Sequence, residues 1–281
     1  MHKDQLLTRR RALLAGATVL GAAHAAGTAR LLTTQAPARP VRGAAAAAGP
    51  QTVTPLKPSA SPPRSMTGGG PPQGGPPRTA VRGKPIMRLS GRGTSMVLTF
   101  DDGPDPRYTP SILRTLREYD VRAVFFVCGE MAVEHKDLLR EMADGGHVVG
   151  NHTWTHPLLT RLPRSRIRSE MERTCEVIAD AYGEAPLWFR APYGAWNRAV
   201  FQLGAELGME PFAWTVDSFD WATPGTPTIV RRVEGNAAPG VIVLSHDAGG
   251  DRSQSVEALR EYLPYLRDSG YHFTVPRRRS T

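Results

Sequence analysis

Between Met96 and about Val275 the chain alternates short apolar runs of strand character with longer stretches whose apolar residues recur at helical spacing. Strands are expected near 96–100, 122–127, 147–150, 187–190, 211–216, 241–245 and 271–275. Helices are expected over Pro110 to Tyr119 (with Thr109 as N-cap), Lys136 to Ala143, Ser165 to Tyr182, Asn197 to Leu207, Thr226 to Val233 and Ser253 to Ser269. Gly145, Gly183, Gly208 and Gly270 stand where four of them should stop. Strict alternation restricts the fold to a parallel α/β architecture, either a closed or incomplete barrel or an open doubly wound sheet. The polar residues choose between these. Asp101, His152, Arg190, Asp217 and His246 all fall at or just after expected strand ends, which a barrel gathers around one rim and an open sheet spreads along a line. A barrel is therefore expected.

The remainder of the chain is of another kind. Residues 1–95 hold 14 Lys and Arg against one acid, and residues 96–281 hold 21 against 25, so the net charge of +9 belongs to the front segment. Nucleic-acid binding by the mildly acidic body is accordingly not expected. Thr8-Arg9-Arg10-Arg11-Ala12-Leu13-Leu14, an apolar stretch and the small residues around Ala23-His24-Ala25 resemble a twin-arginine export signal over 1–26, whose apolar part is short for a membrane span. Residues 27–95, rich in Ala, Pro, Gly and Arg, read as a disordered linker unable to bury enough apolar area to order itself. Its positive charge suits contact with anionic wall polymers or lipid head groups. Cys128 and Cys175, both in patterns that bury small apolar groups, read as reduced core thiols rather than a disulfide.

Two features carry chemistry. Leu98-Thr99-Phe100-Asp101-Asp102-Gly103-Pro104 puts adjacent carboxylates where a strand breaks into a loop, and His152-Thr153-Trp154-Thr155-His156 supplies two imidazoles. One carboxylate with two histidines can fill three positions around a divalent cation and leave others open, as a catalytic metal requires; the second carboxylate is then available as a base. The pair of acids alone would pass for an ordinary turn.

With Arg190-Ala191-Pro192-Tyr193-Gly194, Asp217-Ser218-Phe219-Asp220-Trp221 and Leu244-Ser245-His246-Asp247, these segments form an ordered series of five that resembles the polysaccharide deacetylases, carbohydrate esterase family four. The resemblance covers 96–275 and implies a distorted, seven-stranded β/α barrel over 96–281, preceded by the disordered N-terminal segment. It implies Asp102, His152 and His156 as metal ligands, Asp101 as general base and His246 as general acid. Arg190 and Asp220 would support the base and the acid, the Tyr193 backbone N–H would meet the oxyanion, and Trp221 and Leu244 would wall the acetyl methyl. The implied cofactor is a divalent metal, Zn²⁺ foremost, with Co²⁺ or another ion as alternatives.

The expected activity is metal-dependent deacetylation of an acetylated polysaccharide by a secreted or wall-associated enzyme. Export and the basic linker point to N-acetylglucosamine of peptidoglycan. Chitin or chitooligosaccharides and O-acetyl esters such as acetylxylan are the enzymatic alternatives. A catalytically idle wall-binding protein and a two-metal phosphoesterase are the rivals of other classes.

Overall fold

The computed structural model describes residues 79–90 and 93–277, so the export signal and most of the linker lie outside the described residues. Its strands are β1 (Ser95–Asp101), β2 (Val124–Val127), β3 (Val148–Asn151), β4 (Trp188–Phe189), β5 (Glu210–Pro211), β6 (Val216–Asp217), β7 (Ile242–His246) and β8 (His272–Phe273). Its helices are α1 (Thr109–Glu118), α2 (Gly129–Glu134), α3 (Lys136–Asp144), α4 (Arg164–Tyr182), α5 (Arg198–Glu206), α6 (Thr226–Glu234) and α7 (Ser253–Asp268). All the ladders are parallel, in the order β5-β4-β3-β2-β1-β7-β6, with β8 beside the start of β1. Among the described residues no ladder joins β5 to β6. The seven strands curl into a half-barrel.

Three expectations are corrected. The run 211–216 is two strands at opposite ends of the sheet: Phe212 donates to Phe189 O of β4, Ala213 to Ile86 O, and Thr215 to Ile242 O of β7. The backbone is satisfied by changing partners as it crosses the opening, which periodicity alone does not reveal. The linker boundary at 95 also moves. Ile86 pairs with Phe212 and Arg88 with Val241, and Ile86 and Leu89 pack against Val97, Trp188, Phe212 and Ile242. Ile86-Met87-Arg88-Leu89 is a run with apolar surface to bury within that Pro- and Gly-rich composition. Thr109, finally, is not an N-cap. Tyr108 holds that position, and the Thr109 hydroxyl bonds elsewhere, as described below.

Strand alternation sorts the side chains into two layers. Leu98, Phe100, Phe125, Val127, Val149 and Val243 face the helices, packing with Ile112, Leu116, Leu139, Ile229 and Leu259. Val97, Val124, Phe126, Trp188, Phe212 and Ile242 face the inside of the curl. Following the same parity upward, Thr99 and Asp101 on β1, Leu244 and His246 on β7, and Arg190 after β4 rise from this inner layer toward the carboxyl-end rim.

Candidate active site

Asp101 and Asp102 are neighbours, and on a continuing strand their carboxylates would point to opposite faces. The structure instead turns the backbone at Asp102 to φ 76°, so both serve one site. Thr153, His156, Tyr193 and Phe219 are likewise held at positive φ, at 72°, 55°, 62° and 64°. Such conformations are costly for residues with a Cβ, and here they concentrate in four of the sequence motifs.

Asp102, His152 and His156 present ligand atoms that all lie within 4.8 Å of one another. Asp102 Oδ1 is 3.5 Å from His152 Nε2 and 3.3 Å from His156 Nε2, and although buried it has no hydrogen-bond partner. The imidazoles are oriented from behind. His152 Nδ1 lies 2.8 Å from the Arg190 carbonyl oxygen, which can only accept, so the proton sits on Nδ1 and the Nε2 lone pair faces Asp102. His156 Nδ1 is 3.2 Å from the Tyr193 hydroxyl, which in turn donates to the His156 carbonyl, giving the same tautomer. An orphaned carboxylate oxygen beside two imidazole lone pairs fits a divalent cation. Burial acts to raise the Asp102 pKa, but His152, His246 and His156 outweigh it and hold the carboxyl well below the usual carboxylate range.

Asp101 is adjacent, its Oδ2 3.6 Å from His152 Nε2, and its Oδ1 receives Arg190 Nη1 at 2.6 Å. Arg190 is fully buried. It also donates to Thr99 Oγ1 at 2.8 Å and to the Ala213 carbonyl at 3.0 Å, and its guanidinium lies 4.2 Å over the Phe126 ring. Burial pulls the Arg190 pKa down, and Asp101 opposes it.

On the opposite wall His246 Nδ1 is 2.7 Å from Asp220 Oδ1, while the His246 backbone N–H donates to Asp220 Oδ2 at 2.8 Å. Burial acts to lower the His246 pKa, but Asp220, then Asp102 and Asp101, more than reverse it and push it up to about 9. Asp220 itself is held below the usual range against burial, chiefly by His246. Tyr193 and Trp221, each 37% exposed, stand at the rim, with Trp221 edge-on to Phe219. Leu244 is buried on the inner side of β7.

The structure thus links Asp101, Asp102, His152, His156, Arg190 and Tyr193 by direct contacts and sets the Asp220–His246 pair within electrostatic reach of the two aspartates, while Trp221 contacts Phe219 at the rim and Leu244 lies on β7. Asp217 is different: its carboxylate accepts from the Phe219 N–H at 2.8 Å, the role of a loop cap. Trp154 is packed, with Arg173 3.8 Å over its ring. Cys128 and Cys175 are unpaired thiols.

Two supporting acids escaped the sequence reading. Glu170, on the buried face of α4, accepts the Trp154 and Thr155 N–H groups at 2.9 and 2.8 Å and so shapes the loop between the two histidines. A charged residue on an otherwise apolar helix face was the available signal. Asp247 is fully buried, accepts from the Thr109 hydroxyl at 2.5 Å, has its other oxygen without a partner, and lies where a Cβ on Gly103 would be. Burial first, and then Asp102 and Asp101, raise its pKa to about 7.

The fold and site together define a β/α half-barrel with an aspartate–dihistidine cluster on its carboxyl-end rim. The chain belongs to the polysaccharide deacetylase family, whose model matches residues 89–212. It is 37% identical over 183 residues to a peptidoglycan-N-acetylglucosamine deacetylase of Bacillus cereus, covering 64% of this chain and 66% of that protein. It is 39% identical over 205 residues to a chitooligosaccharide deacetylase of Rhizobium leguminosarum bv. trifolii, covering 69% of this chain and 95% of that one. The crystal structure of the Bc1960 peptidoglycan N-acetylglucosamine deacetylase superposes with a TM-score of 0.65 at 35% identity, covering 67% of this chain and 88% of that one.

Proposed function

We propose that this chain is an exported, metal-dependent deacetylase acting on the N-acetyl groups of peptidoglycan N-acetylglucosamine. The reading rests above all on the Asp102 oxygen left without a hydrogen-bond partner between two oriented imidazoles, with a second, arginine-paired aspartate beside it. Asp102, His152 and His156 would hold the cation, and this one-carboxylate, two-imidazole donor set is one that suits zinc. When bound, such an ion supplies Lewis acidity for the acetyl carbonyl and for a water molecule.

The chain's own residues divide the proton work. Asp101, fixed by Arg190, takes the proton from the attacking water, and His246, charged and fixed by Asp220, delivers one to the departing amine nitrogen. The Tyr193 backbone N–H serves the oxyanion, and Trp221 with Leu244 bounds a space for a methyl group. An idle wall-binding protein has no use for both Asp101 and His246 in these paired states. A two-metal phosphoesterase would need further bridging carboxylates, and Asp102, His152 and His156 are the one such cluster among the described residues. Peptidoglycan is preferred over chitooligosaccharides because the basic front segment suits an anionic wall; both kinds of relative are represented above.

The test is mass spectrometry of peptidoglycan, chitin oligomers and acetylxylan incubated with zinc-loaded protein. Loss of acetyl groups from peptidoglycan is expected. Loss from acetylxylan alone, or from none of the three, overturns the proposal.

A further inference from the structure

We propose that Arg252 and Ser255, at the start of α7, are positioning residues for the acid half of the site, fixing Asp220 and through it the ring of His246. The inference rests on the deacetylase reading for its kinetic form. Its geometric basis is independent.

Arg252 is buried, yet it appears in none of the ion pairs among the described residues. Its guanidinium is spent on carbonyl oxygens: Ala248 from Nε at 2.7 Å, Gly249 from Nη2 at 2.9 Å, and Asp220 and Asp251 from Nη1 at 3.2 Å each. Withdrawing a guanidinium from water without a carboxylate partner is costly, and a planar fork is the side chain able to hold several carbonyls in fixed directions. These carbonyls lie on both sides of His246. One belongs to Asp220 and the others to the loop that follows the histidine. The same loop approaches Asp102, since a Cβ on Gly249 would overlap the Asp102 carboxylate.

Ser255, three residues on, donates to Asp220 Oδ2 at 2.6 Å. The Asp220 carboxylate therefore accepts three hydrogen bonds, from His246 Nδ1 on one oxygen and from the His246 N–H and Ser255 Oγ on the other. With Nδ1 engaged, Nε2 is the nitrogen directed away from Asp220. Removing the serine hydroxyl frees one end of the carboxylate, and removing the guanidinium fork frees the backbone that carries it.

The experiment compares two substrates in each variant. An N-acetylated sugar oligomer expels an amine that must be protonated, whereas an activated aryl acetate expels a phenolate that need not be. In Ser255→Ala, kcat on the amide is expected to fall about tenfold or more, the rate equivalent of one hydrogen bond to a charged group. KM and aryl-acetate hydrolysis should stay near the wild-type values, and Ser255→Thr should restore the amide rate. Arg252→Lys, which keeps the charge and loses the fork, should repeat the selective loss. Equal losses on both substrates, or no recovery in Ser255→Thr, overturn the inference. A readout without turnover separates it from the deacetylase reading: the ¹⁵N resonances of the His246 ring should move in Ser255→Ala, and unchanged resonances overturn the positioning role even if the wild type releases no acetate.

Discussion

Adjacent aspartates can take different roles because their surroundings differ. Asp101, the last residue of β1, is tied to a buried arginine, whereas Asp102, turned into the left-handed region, keeps one oxygen for the imidazoles. Asp101→Asn retains size and shape and removes basicity, so acetate release should drop by about 10²–10⁴-fold. Metal affinity measured by calorimetry should be nearly unchanged. Full activity in this variant would remove Asp101 as the base. Arg190→Met is expected to cost about 3–5 kcal/mol in chemical denaturation, because it strands a buried carboxylate. On the acid side, folding raises the His246 pKa from 6.5 to about 9. The charged form is thus favoured in the native state: its stabilisation is complete below 6.5 and is lost as pH climbs through about 9. Because Asp220 is the largest charge holding His246 protonated, Asp220→Asn should move the alkaline limb of kcat toward neutrality. An unmoved limb would show that Asp220 does not charge His246.

At the scale of elements, the inner layer must narrow beneath the site, and β3 does this with a residue that has no side chain. A Cβ on Gly150 would meet the Phe126 ring at 2.6 Å and the Trp188 carbonyl at 3.1 Å. Gly150→Ala should therefore destabilise by about 1–3 kcal/mol through overpacking. Since Phe126 also carries Arg190 on its face, the activity loss should exceed that of an equally destabilising substitution in the outer layer; equal losses would refute the link. Most elements were legible because their apolar periodicity reports which face is buried: α4, expected over Ser165 to Tyr182, spans Arg164–Tyr182, and Gly183 stops it at φ 94°. The site was legible because Asp101, His152, Arg190 and His246 end or directly follow strands, where a parallel barrel gathers them. What stayed hidden depends on partners remote in sequence. The division of 211–216 between β5 and β6 has no local signature, and Glu170, though conspicuous as an acid on the buried face of α4, does not by its position reveal that its partner is the histidine loop. The six-residue α2 falls below the length at which helical periodicity can be read.

At the scale of the molecule, the half-barrel leaves an opening between β5 and β6 that residues 85–89 cross. Ile86 receives the Ala213 N–H and donates to Pro211 O at 2.8 Å, while Leu89 donates to Gly240 O at 2.9 Å. Both side chains rest on the floor of the inner layer, beneath Arg190 and the two aspartates. This strap does for the opening what an eighth ladder does in a closed barrel, satisfying backbone groups and covering apolar surface. A chain beginning at residue 79 keeps it, and one beginning at residue 91 does not. The shorter chain should lose about 2–4 kcal/mol, the burial of two partly covered aliphatic side chains, with a lower denaturation midpoint to match. The longer one should unfold like the full-length protein. Charge separates the same two parts in another way: residues 1–78 hold 10 Lys and Arg against one acid, and residues 79–281 hold 25 of each. If the front segment tethers the enzyme to anionic wall polymers, removing residues 1–78 should abolish retention on isolated cell walls at low salt while leaving acetate release from soluble substrate intact. For the full-length chain, retention should fall steeply as the screening length shrinks to about 3 Å near 1 M salt. Retention unaffected by either change would confine the role of the basic segment to that of a spacer.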